Sequence, residues 1–405
     1  MVRIAIFIDS KYRDVFPAVV LEKELLKRTK NTDILLVSFD LWQEVMNFYK
    51  PDVVVLNHAL GERNKEIIRR ARYSIILPTE GRPNTLAQKQ WYVEDQDGIP
   101  DLFLSWTDSM SEMFRKTEAV TTGNVRFDLY YDYPQLINTR EEARAKLGLR
   151  DDELVFGLFT SFPQAKFAMS NTEFNAADWK DLGLTKVEGM SDPGAYAKQE
   201  ESDRLRFLSM AALIPLVTGG KLLVKPHPME DVLLLQHWSQ EQSGKFVSQD
   251  NIANVIAACD YVVNRRGCMT TADSLLMGVP VHEIGDGGQG DAFENKSFSS
   301  HPEHFLYALQ NRSTFGFLEH SEGKDIVSLC GGLGGGAAII AAREISKRIS
   351  GLGDTSEHVS AEERESLERL IMTHSAKNVI PHPLALPIGK VPTKGYIDSW
   401  RRKVE

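Results

Sequence analysis

Cysteine is scarce in this sequence, which has three cysteines, Cys259, Cys268 and Cys330, among its 405 residues. Three thiols cannot build a disulfide framework or a four-thiolate zinc site, and no Cys-x-x-Cys spacing occurs. Disulfide-dense secreted scaffolds are therefore excluded. A reducing compartment, the cytoplasm, is the expected location.

The sequence also lacks a long apolar run and an excess of basic residues. Its longest apolar candidate, residues 207–224, is interrupted by Pro215 and two glycines, whereas a membrane-spanning helix needs about 18 apolar residues or more in succession. With 47 basic and 56 acidic side chains the formal net charge is −9, which argues against a broadly basic surface for nucleic acid. We expect no nucleic-acid partner and no membrane span, while peripheral contact with the inner face of the cell membrane or with an assembly complex stays open.

What the sequence does contain is two series of short apolar runs separated by amphipathic segments such as Val19–Arg28. Continuous apolar runs of this length are typical of parallel strands covered on both faces, and their alternation with helical segments predicts an α/β fold. The strands predicted in the first series are Ile4–Ile8, Ile34–Ser38, Val53–Asn57, Ser74–Pro78, Leu102–Trp106 and Val120–Gly123. Those predicted in the second series are Leu154–Thr160, Lys221–Lys225, Lys245–Val247, Tyr261–Asn264 and Val279–Ile284.

These two series predict two Rossmann-like domains that face a cleft. We place the N-terminal domain at residues 1–150 and the C-terminal domain at 151–350. A helical or irregular tail, 351–405, is expected to pack back across the domains. Between the series, Asn138 or Thr139 is expected to cap a helix over Arg140–Leu149. Residues 163–200 fit neither the helical nor the strand period of apolar residues well. They are either a cleft-edge lid or acceptor loop, or a surface insertion.

The strongest candidate site is the run over residues 221–231, in which a strand ends in a Lys-Pro-His-Pro turn. Ligands of open α/β sheets bind beyond the carboxyl ends of the strands, which is where His227 falls. The two prolines fix φ and aim the imidazole, so His227 can donate to a phosphate and help a nucleotide leave. Lys225 and Pro228 are assigned to the same phosphate site.

A second candidate site, over residues 260–280, has the order strand, glycine-containing loop, helix, glycine stop, strand. Thr270 and Thr271 are expected at the helix N-terminus, where free N–H groups and the helix dipole attract phosphate. Arg265 and Arg266 add planar donors suited to phosphate or carboxylate. The alternative is that the threonines only cap the helix and the arginines are solvated.

A third candidate is Glu80, which follows the fourth predicted strand. A carboxylate facing the cleft there can deprotonate an acceptor hydroxyl. A fourth candidate is the turn Thr121–Asp128, where the first predicted sheet ends. A purely structural role explains this turn at least as well as contact with a ligand does. The residues predicted in cleft loops are Gly81, Gly123, Asn124, Thr160 and Ser161.

No cofactor and no metal are expected. The glycine-rich run over residues 331–337 can be fitted to a Gly-x-Gly-x-x-Ala fingerprint, but Asp325–Cys330 before it is a poor strand and no new βαβ unit follows. A flexible or closely packed helix entry explains the run better. The acid pair Glu230-Asp231 could suggest a metal site, but helix N-terminal acids explain it equally well. Helix dipoles and basic side chains can offset phosphate charge without a metal.

Taken in order, three of these motifs resemble those of a known group. Gly123–Asp128, the Lys-Pro-His-Pro turn and the Asn264–Pro280 strand–loop–helix occur in this order in GT-B glycosyltransferase-like proteins. The sequence resembles the bacterial surface carbohydrate biosynthesis group, which includes β-Kdo transferases, and CDP-glycerol glycerophosphotransferases share a similar pattern. The likeness covers roughly residues 50–285.

The resemblance implies a GT-B fold and roles for individual residues. In bacterial sialyltransferases and related Kdo enzymes an acid–Gly element supplies a catalytic carboxylate, and Glu80 matches its acid. Their His-Pro element binds the nucleotide phosphate, and His227 matches its histidine. Asp231 lies just past that element and is a rival to Glu80 as the catalytic carboxylate.

The resemblance also assigns phosphate contact to the helix start at Thr270 and Thr271, which match a Ser/Thr-rich element. The preceding segment Arg265–Cys268 departs from the small polar loop usual in the family, which leaves the identity of the donor open. Because Glu80, His227 and Thr270 all follow predicted strand ends, we expect Glu80 on one wall of the cleft and His227 and Thr270 on the other.

The implied activity is transfer of a sugar, such as the CMP-activated ulosonic acid Kdo, to a growing cell-surface polysaccharide. The partners are then a nucleotide-sugar donor and a glycan or glycolipid acceptor. One alternative is an isomerase like UDP-N-acetylglucosamine 2-epimerase, although its Ser-Gly-Gly loop and paired glutamates are absent. The others are a CDP-glycerol-type polyol-phosphate transferase and a non-catalytic scaffold of an assembly complex.

Overall fold

The structure is a computed structural model of the chain. It describes residues 1–79, 93–168, 179–180, 190–227, 230, 232–248, 250–285, 298–313, 316–319, 323–332, 334–352, 362–363, 365–367, 369–371 and 392–405.

The first half of the chain forms a six-stranded parallel sheet with the strand order β2-β1-β3-β4-β5-β6. The central strands are buried along their whole length, because helices cover both faces of the sheet. The strands are β1 (Val2–Ile8), β2 (Thr32–Ser38), β3 (Val53–Leu56), β4 (Tyr73–Ile76), β5 (Leu102–Ser105) and β6 (Glu118–Thr121).

The second sheet is also six-stranded and parallel, with the order β12-β11-β10-β7-β8-β9. Its strands are β7 (Val155–Phe159), β8 (Lys221–Lys225), β9 (Lys245–Phe246), β10 (Tyr261–Arg265), β11 (Val281–Ile284) and β12 (Phe298–Ser299). Two parallel sheets confirm the predicted α/β class. Each predicted strand is found with its ends shifted by at most a few residues, and β8 has the predicted bounds. The strand β12 was not predicted, because two residues carry no pattern.

The helices begin and end as follows: α1 (Lys11–Arg28), α2 (Trp42–Glu44), α3 (Glu62–Arg70), α4 (Asp108–Ser111), α5 (Asp128–Tyr131), α6 (Arg140–Leu147), α7 (Pro193–Ala211), α8 (Leu213–Thr218), α9 (Val232–Glu241), α10 (Ile252–Ala257), α11 (Thr270–Leu276), α12 (Pro302–Gln310), α13 (Lys324–Leu329), α14 (Ala337–Ile349) and α15 (Lys394–Val404). Because α7 begins at Pro193, part of the segment 163–200 is helical, which corrects the prediction that it fits no period.

The link between the two sheets ends in a helix with a reciprocal cap. The Thr139 side chain accepts from the backbone N–H of Glu142, and the Glu142 carboxylate accepts from the backbone N–H of Thr139. This capping box confirms Thr139 as the N-cap of α6. The helix ends at Gly148, which has a left-handed φ of 63° that a glycine adopts without strain.

After the second sheet the chain returns to α1 of the first. The helices α14 and α15 share one apolar core with α1. On α15, Arg401 forms a two-pronged ion pair with Glu22, with N···O distances of 2.6 and 2.8 Å, and Trp400 lies edge-on to Phe16. The C-terminal helix is thereby fixed beside the start of the first sheet. None of the helices in the described part of the chain is long and apolar enough to cross a membrane.

Candidate functional site

The carboxyl ends of the two sheets lie opposite each other. Tyr12, just after β1, has its ring 5.7 Å from Nζ of Lys225 at the end of β8. Arg126, which follows β6, forms an ion pair with Asp273 on α11, and α11 follows β10. The loops after the strands of both sheets therefore meet at one cleft, the place where ligands of open α/β sheets bind.

The Lys-Pro-His-Pro turn lies at this cleft. The backbone N–H of His227 donates to the Glu230 carboxylate at 2.7 Å, and the backbone N–H of Glu230 donates to the carbonyl of His227 at 3.0 Å. These reciprocal bonds close the turn and hold the half-buried His227 at the end of β8. Pro228 and Asp231, also assigned to the site, lie outside the described residues.

Glu230 connects two loops of the cleft. Its carboxylate also accepts from the Thr160 hydroxyl and from the backbone N–H of Phe162, 3.0 Å away. The side chain is buried, with Glu230 only 4% exposed. Burial raises its pKa to about 7, although these hydrogen bonds and the positive charge of Arg204 favour the ionised form. Glu230 is therefore a positioning residue that fixes the loop after β7 against the His227 turn.

This role of Glu230 was not predicted, because the pair Glu230-Asp231 could be explained as metal ligands or as helix N-terminal acids. The signal that was available is its spacing, three residues after a histidine held between prolines. A side chain at that distance reaches back to the backbone of the turn, as in a helix cap.

We expect the raised pKa of Glu230 to make stability depend on pH. The folded state holds this proton more tightly than the unfolded chain does, so the stabilisation is present below the ordinary carboxyl pKa and is lost as the pH rises through about 7. A shift of this size corresponds to roughly 3 kcal/mol. The free energy of unfolding of wild type relative to Glu230→Gln should therefore fall by about this amount between pH 4.5 and pH 8, as measured by urea denaturation.

Thr160→Val provides the control for this prediction. It removes a hydrogen bond that favours the ionised carboxyl, so the pH at which stability is lost should move upward. Parallel pH curves for wild type and Glu230→Gln would contradict the assignment.

Lys225 places a buried charge at the cleft. The residue is 9% exposed, and burial lowers the pKa of its ammonium group to about 8. Among the described residues its ammonium contacts the Tyr12 ring but makes no hydrogen bond or ion pair. A buried cation without an anion is costly, so an anionic ligand would stabilise it.

The two predicted arginines have partners within the fold. Arg265 donates to the carbonyl of Ser161 and to Glu200, both at 2.6 Å, and Glu200 is 2% exposed. The guanidinium of Arg266 lies 3.9 Å from the centre of the Phe298 ring. Arg265 therefore fixes the loop after β7, and phosphate binding by either arginine stays a prediction.

Thr270 and Thr271 open α11 as predicted, but both are buried. The Thr271 hydroxyl donates to Glu283 and accepts from the side-chain amide of Asn264 at 2.9 Å. Its hydroxyl thus connects α11 to β10 and β11. Contact of these threonines with phosphate stays a prediction.

Asn124, which follows Gly123, lies against the glycine-rich run that begins at Gly331. The backbone N–H of Asn124 donates to the carbonyl of Gly331 at 3.1 Å. Gly331 has φ +83°, and a Cβ there would come within 2.7 Å of Cβ of Trp106. Glycine is required at this close approach, which supports the closely packed helix entry over a dinucleotide fingerprint.

The last residue of the motif Gly123–Asp128 caps α14. The Asp128 carboxylate accepts from the backbone N–H groups of Ala337 and Ala338 at 2.9 and 2.8 Å. Burial raises the pKa of Asp128 to about 6, while both hydrogen bonds oppose the rise. Gly123–Asp128 therefore joins the first sheet to the returning chain. This is a structural role, and contact of the motif with a ligand stays a prediction.

The acid–Gly element, Glu80 and Gly81, lies outside the described residues. The last described residue before it, Thr79, donates its hydroxyl to Asp14 at 2.6 Å. In the described part of the chain, no group of three or more His, Cys, Asp or Glu side chains is arranged to hold a metal ion. Metal-independent activity stays a prediction.

Solved structures share this architecture over most of the chain. One is a putative UDP-N-acetylglucosamine 2-epimerase from Listeria monocytogenes, with a TM-score of 0.51 and 10% identity, covering 88% of this chain and 98% of that one. Another is the wall teichoic acid polymerase TagF, with a TM-score of 0.50 and 11% identity, covering 91% and 90%. No protein-family model and no curated protein matches the sequence.

At such low identity the likeness establishes the fold alone. The chain has a GT-B-like fold, with two Rossmann-like sheets that face a cleft. This confirms the predicted fold class.

Proposed function

We propose that this chain is a nucleotide-sugar-dependent glycosyltransferase that acts in the synthesis of a cell-surface polysaccharide. The observation that carries the proposal is the buried ammonium of Lys225, at the end of β8, with no bound anion among the described residues. A nucleotide phosphate supplies the negative charge, and the end of a parallel strand is where such ligands bind.

In the proposed mechanism the described residues act on the leaving group. Lys225 holds the donor phosphate, and the imidazole of His227 donates a hydrogen bond or a proton to it as the bond to the sugar breaks. Glu230 keeps the His227 turn closed through its backbone bond of 2.7 Å. No step needs a metal, because Lys225 and His227 offset the developing charge.

The catalytic carboxylate is assigned to Glu80 on the acceptor side, and Asp231 on the donor side is its rival. In an inverting reaction Glu80 would take the proton of the acceptor hydroxyl, and in a retaining reaction a carboxylate would instead form a covalent glycosyl intermediate. Glu80→Gln should then spare donor binding and reduce turnover.

A CMP-activated ulosonic acid such as Kdo is the first donor to test, because the family resemblance of the sequence motifs points to it. The rivals are CDP-glycerol and UDP-N-acetylglucosamine. Thermal unfolding would be followed with CMP, CMP-Kdo, CDP-glycerol and UDP-N-acetylglucosamine, since a ligand that binds only the folded state raises Tm. Donor hydrolysis would then be measured for each ligand that binds.

The outcomes separate the candidate functions. Stabilisation by CMP-Kdo together with its hydrolysis supports the proposal. Epimerisation of UDP-N-acetylglucosamine or transfer of glycerol phosphate would replace it with one of the rivals. Absence of binding and of hydrolysis for every nucleotide would favour a non-catalytic scaffold. Activity lost on EDTA treatment and restored by magnesium would contradict the metal-free mechanism.

We expect Lys225→Met to weaken nucleotide binding without lowering stability. Loss of a charged hydrogen-bond donor to phosphate should raise Kd by about 10- to 100-fold. Removal of a buried cation should leave Tm unchanged or higher. Isothermal titration calorimetry and thermal unfolding would measure both effects.

Lys221→Met is the matched control, because Lys221 begins the same strand and pairs with Glu153 at 3.4 Å, away from the cleft. It should leave nucleotide affinity unchanged. Equal nucleotide affinity in Lys225→Met and wild type would contradict the assignment of Lys225 to the donor phosphate, on which the proposal rests.

A further inference from the structure

A second lysine lies beside the Tyr12 ring. Nζ of Lys11, the first residue of α1, is 4.8 Å from the centre of this ring and 5.1 Å from that of Tyr396 on α15. The two tyrosine rings meet edge to face, with their centres 6.2 Å apart. The C-terminal helix thus supplies an aromatic wall at the cleft, with Lys225 over Tyr12 from the second sheet.

Among the described residues, no acidic side chain is bound directly to the lysines of this cluster. Lys11 is half-buried, burial lowers its pKa, and among the described residues its ammonium makes no hydrogen bond or ion pair. Burial raises the pKa of Tyr12 to about 12, so its phenol stays neutral. The nearby carboxylate whose field reaches both Tyr12 and Lys225 is Asp250, and it is paired with Lys146 at 2.7 Å.

The backbone adds to the positive charge at this place. Lys11 and Tyr12 are the first residues of the 18-residue helix α1. The N-cap Ser10 makes no side-chain cap bond, and the first-turn acid Asp14 accepts from the backbone N–H of Ser10 at 2.8 Å. The N-terminus of a long helix favours anions through its free N–H groups and its dipole. Lys225 across the cleft is buried and has no ion-pair partner in the described part of the chain. Together these features point to an anionic ligand that contacts both sheets.

We propose that Lys11, Tyr12 and Tyr396 form an anion subsite across the cleft from Lys225, and that it binds a carboxylate or phosphate carried by the transferred part of the donor. The inference rests on the proposed function and narrows its substrate class. Ulosonic acids, with their carboxylate, and polyol phosphates fit this subsite, whereas donors of neutral sugars do not. Lys225 binds the phosphate on the nucleotide, and Lys11 binds the second anion.

Lys11→Met tests the subsite. Affinities for CMP alone, CMP-Kdo, CDP-glycerol and UDP-N-acetylglucosamine would be measured by calorimetry for this variant and wild type. The variant should bind the preferred anionic donor about 10- to 100-fold more weakly, the usual effect of losing a charged hydrogen-bond donor. It should bind CMP as wild type does. A preference for CMP-Kdo would identify the anion as the carboxylate of the transferred sugar. A preference for CDP-glycerol would identify it as phosphate, and would replace the proposed sugar transfer with polyol-phosphate transfer.

Three further variants serve as controls. Lys11→Arg keeps the charge and should restore most of the affinity. Tyr396→Leu keeps an apolar contact but removes the ring beside Lys11, and a loss of about 2- to 5-fold is expected from a cation–π contact. Lys30→Met removes a lysine at an exposed position beyond the other end of α1 and should change neither affinity.

Several results would overturn the inference while leaving the proposed function intact. Equal weakening of CMP and of the donor would place Lys11 on the nucleotide. Unchanged donor affinity in Lys11→Met would reject the proposed subsite, and so would a preference of wild type for UDP-N-acetylglucosamine. Failure of wild type to bind any of the nucleotides would instead reject the proposed function, and this inference with it.

Discussion

Replacing His227 by alanine is expected to lower turnover by about 100- to 10,000-fold, the usual effect of removing a general acid. The imidazole would no longer donate to the departing phosphate, so donor affinity should fall as well. The fold should persist, because the backbone N–H of residue 227 still donates to Glu230. Turnover and donor Kd would be measured for the variant and wild type at the same pH, and Tm would report on folding.

His237→Ala is the matched control for this prediction. His237 lies on α9 with 77% of its side chain exposed, beside Glu241, and its loss should change neither turnover nor affinity. Wild-type affinity in His227→Ala would reject the phosphate assignment, and wild-type turnover would reject the catalytic one.

Most of the fold could be predicted because parallel sheets produce a strong local pattern. Strands covered on both faces are continuous apolar runs, and β8 was predicted with its observed bounds, Lys221–Lys225. The start of α1 was harder to predict. Pro17 lies inside this helix and suggests a later start, yet α1 begins at Lys11. As the seventh residue of the helix, Pro17 lacks the N–H that would bond the carbonyl of Arg13, so the helix continues despite a lost hydrogen bond. Its start is favoured by Asp14, which accepts from the N–H of Ser10 at 2.8 Å, an acid favourable in a first turn.

The position of the site could be predicted, but the ion pairs and ring contacts of its side chains could not. Strand ends placed His227 and Lys225 at the cleft, since the carboxyl edge of a parallel sheet follows from the order of elements. Whether a polar side chain there is available to a ligand depends on neighbours distant in sequence. Arg265 is paired with Glu200 on a helix that sequence analysis did not predict, and Lys11 faces Tyr396 from the C-terminal helix. Local patterns carry no information about such contacts.

One such long-range contact joins the two halves at the base of the cleft. Arg126, after β6, forms an ion pair with Asp273 on α11, and the Tyr130 hydroxyl donates to the same carboxylate at 2.6 Å. The Asp273 side chain is fully buried and that of Arg126 is 12% exposed. Burial raises the pKa of Asp273, while Arg126 and Tyr130 favour its ionised form.

Arg126→Met is expected to lower the free energy of unfolding by about 3–5 kcal/mol, because it leaves the Asp273 carboxylate buried without its cation. The loss should be smaller at about pH 5 than at pH 8, since an unpaired buried carboxyl holds its proton in the folded state and so gains stability as the pH falls. Urea denaturation at both pH values would measure this.

The double variant Arg126→Met, Asp273→Leu separates the charge from the packing at this contact. Because it removes both charges together, most of the lost stability should return. Arg69→Met, which breaks an exposed ion pair with Glu66, should cause no measurable loss, because exposed pairs contribute little. If Arg126→Met lost the same stability at both pH values and Asp273→Leu recovered none of it, the contact would act through packing rather than charge. The ion pair would then not be what joins the two halves.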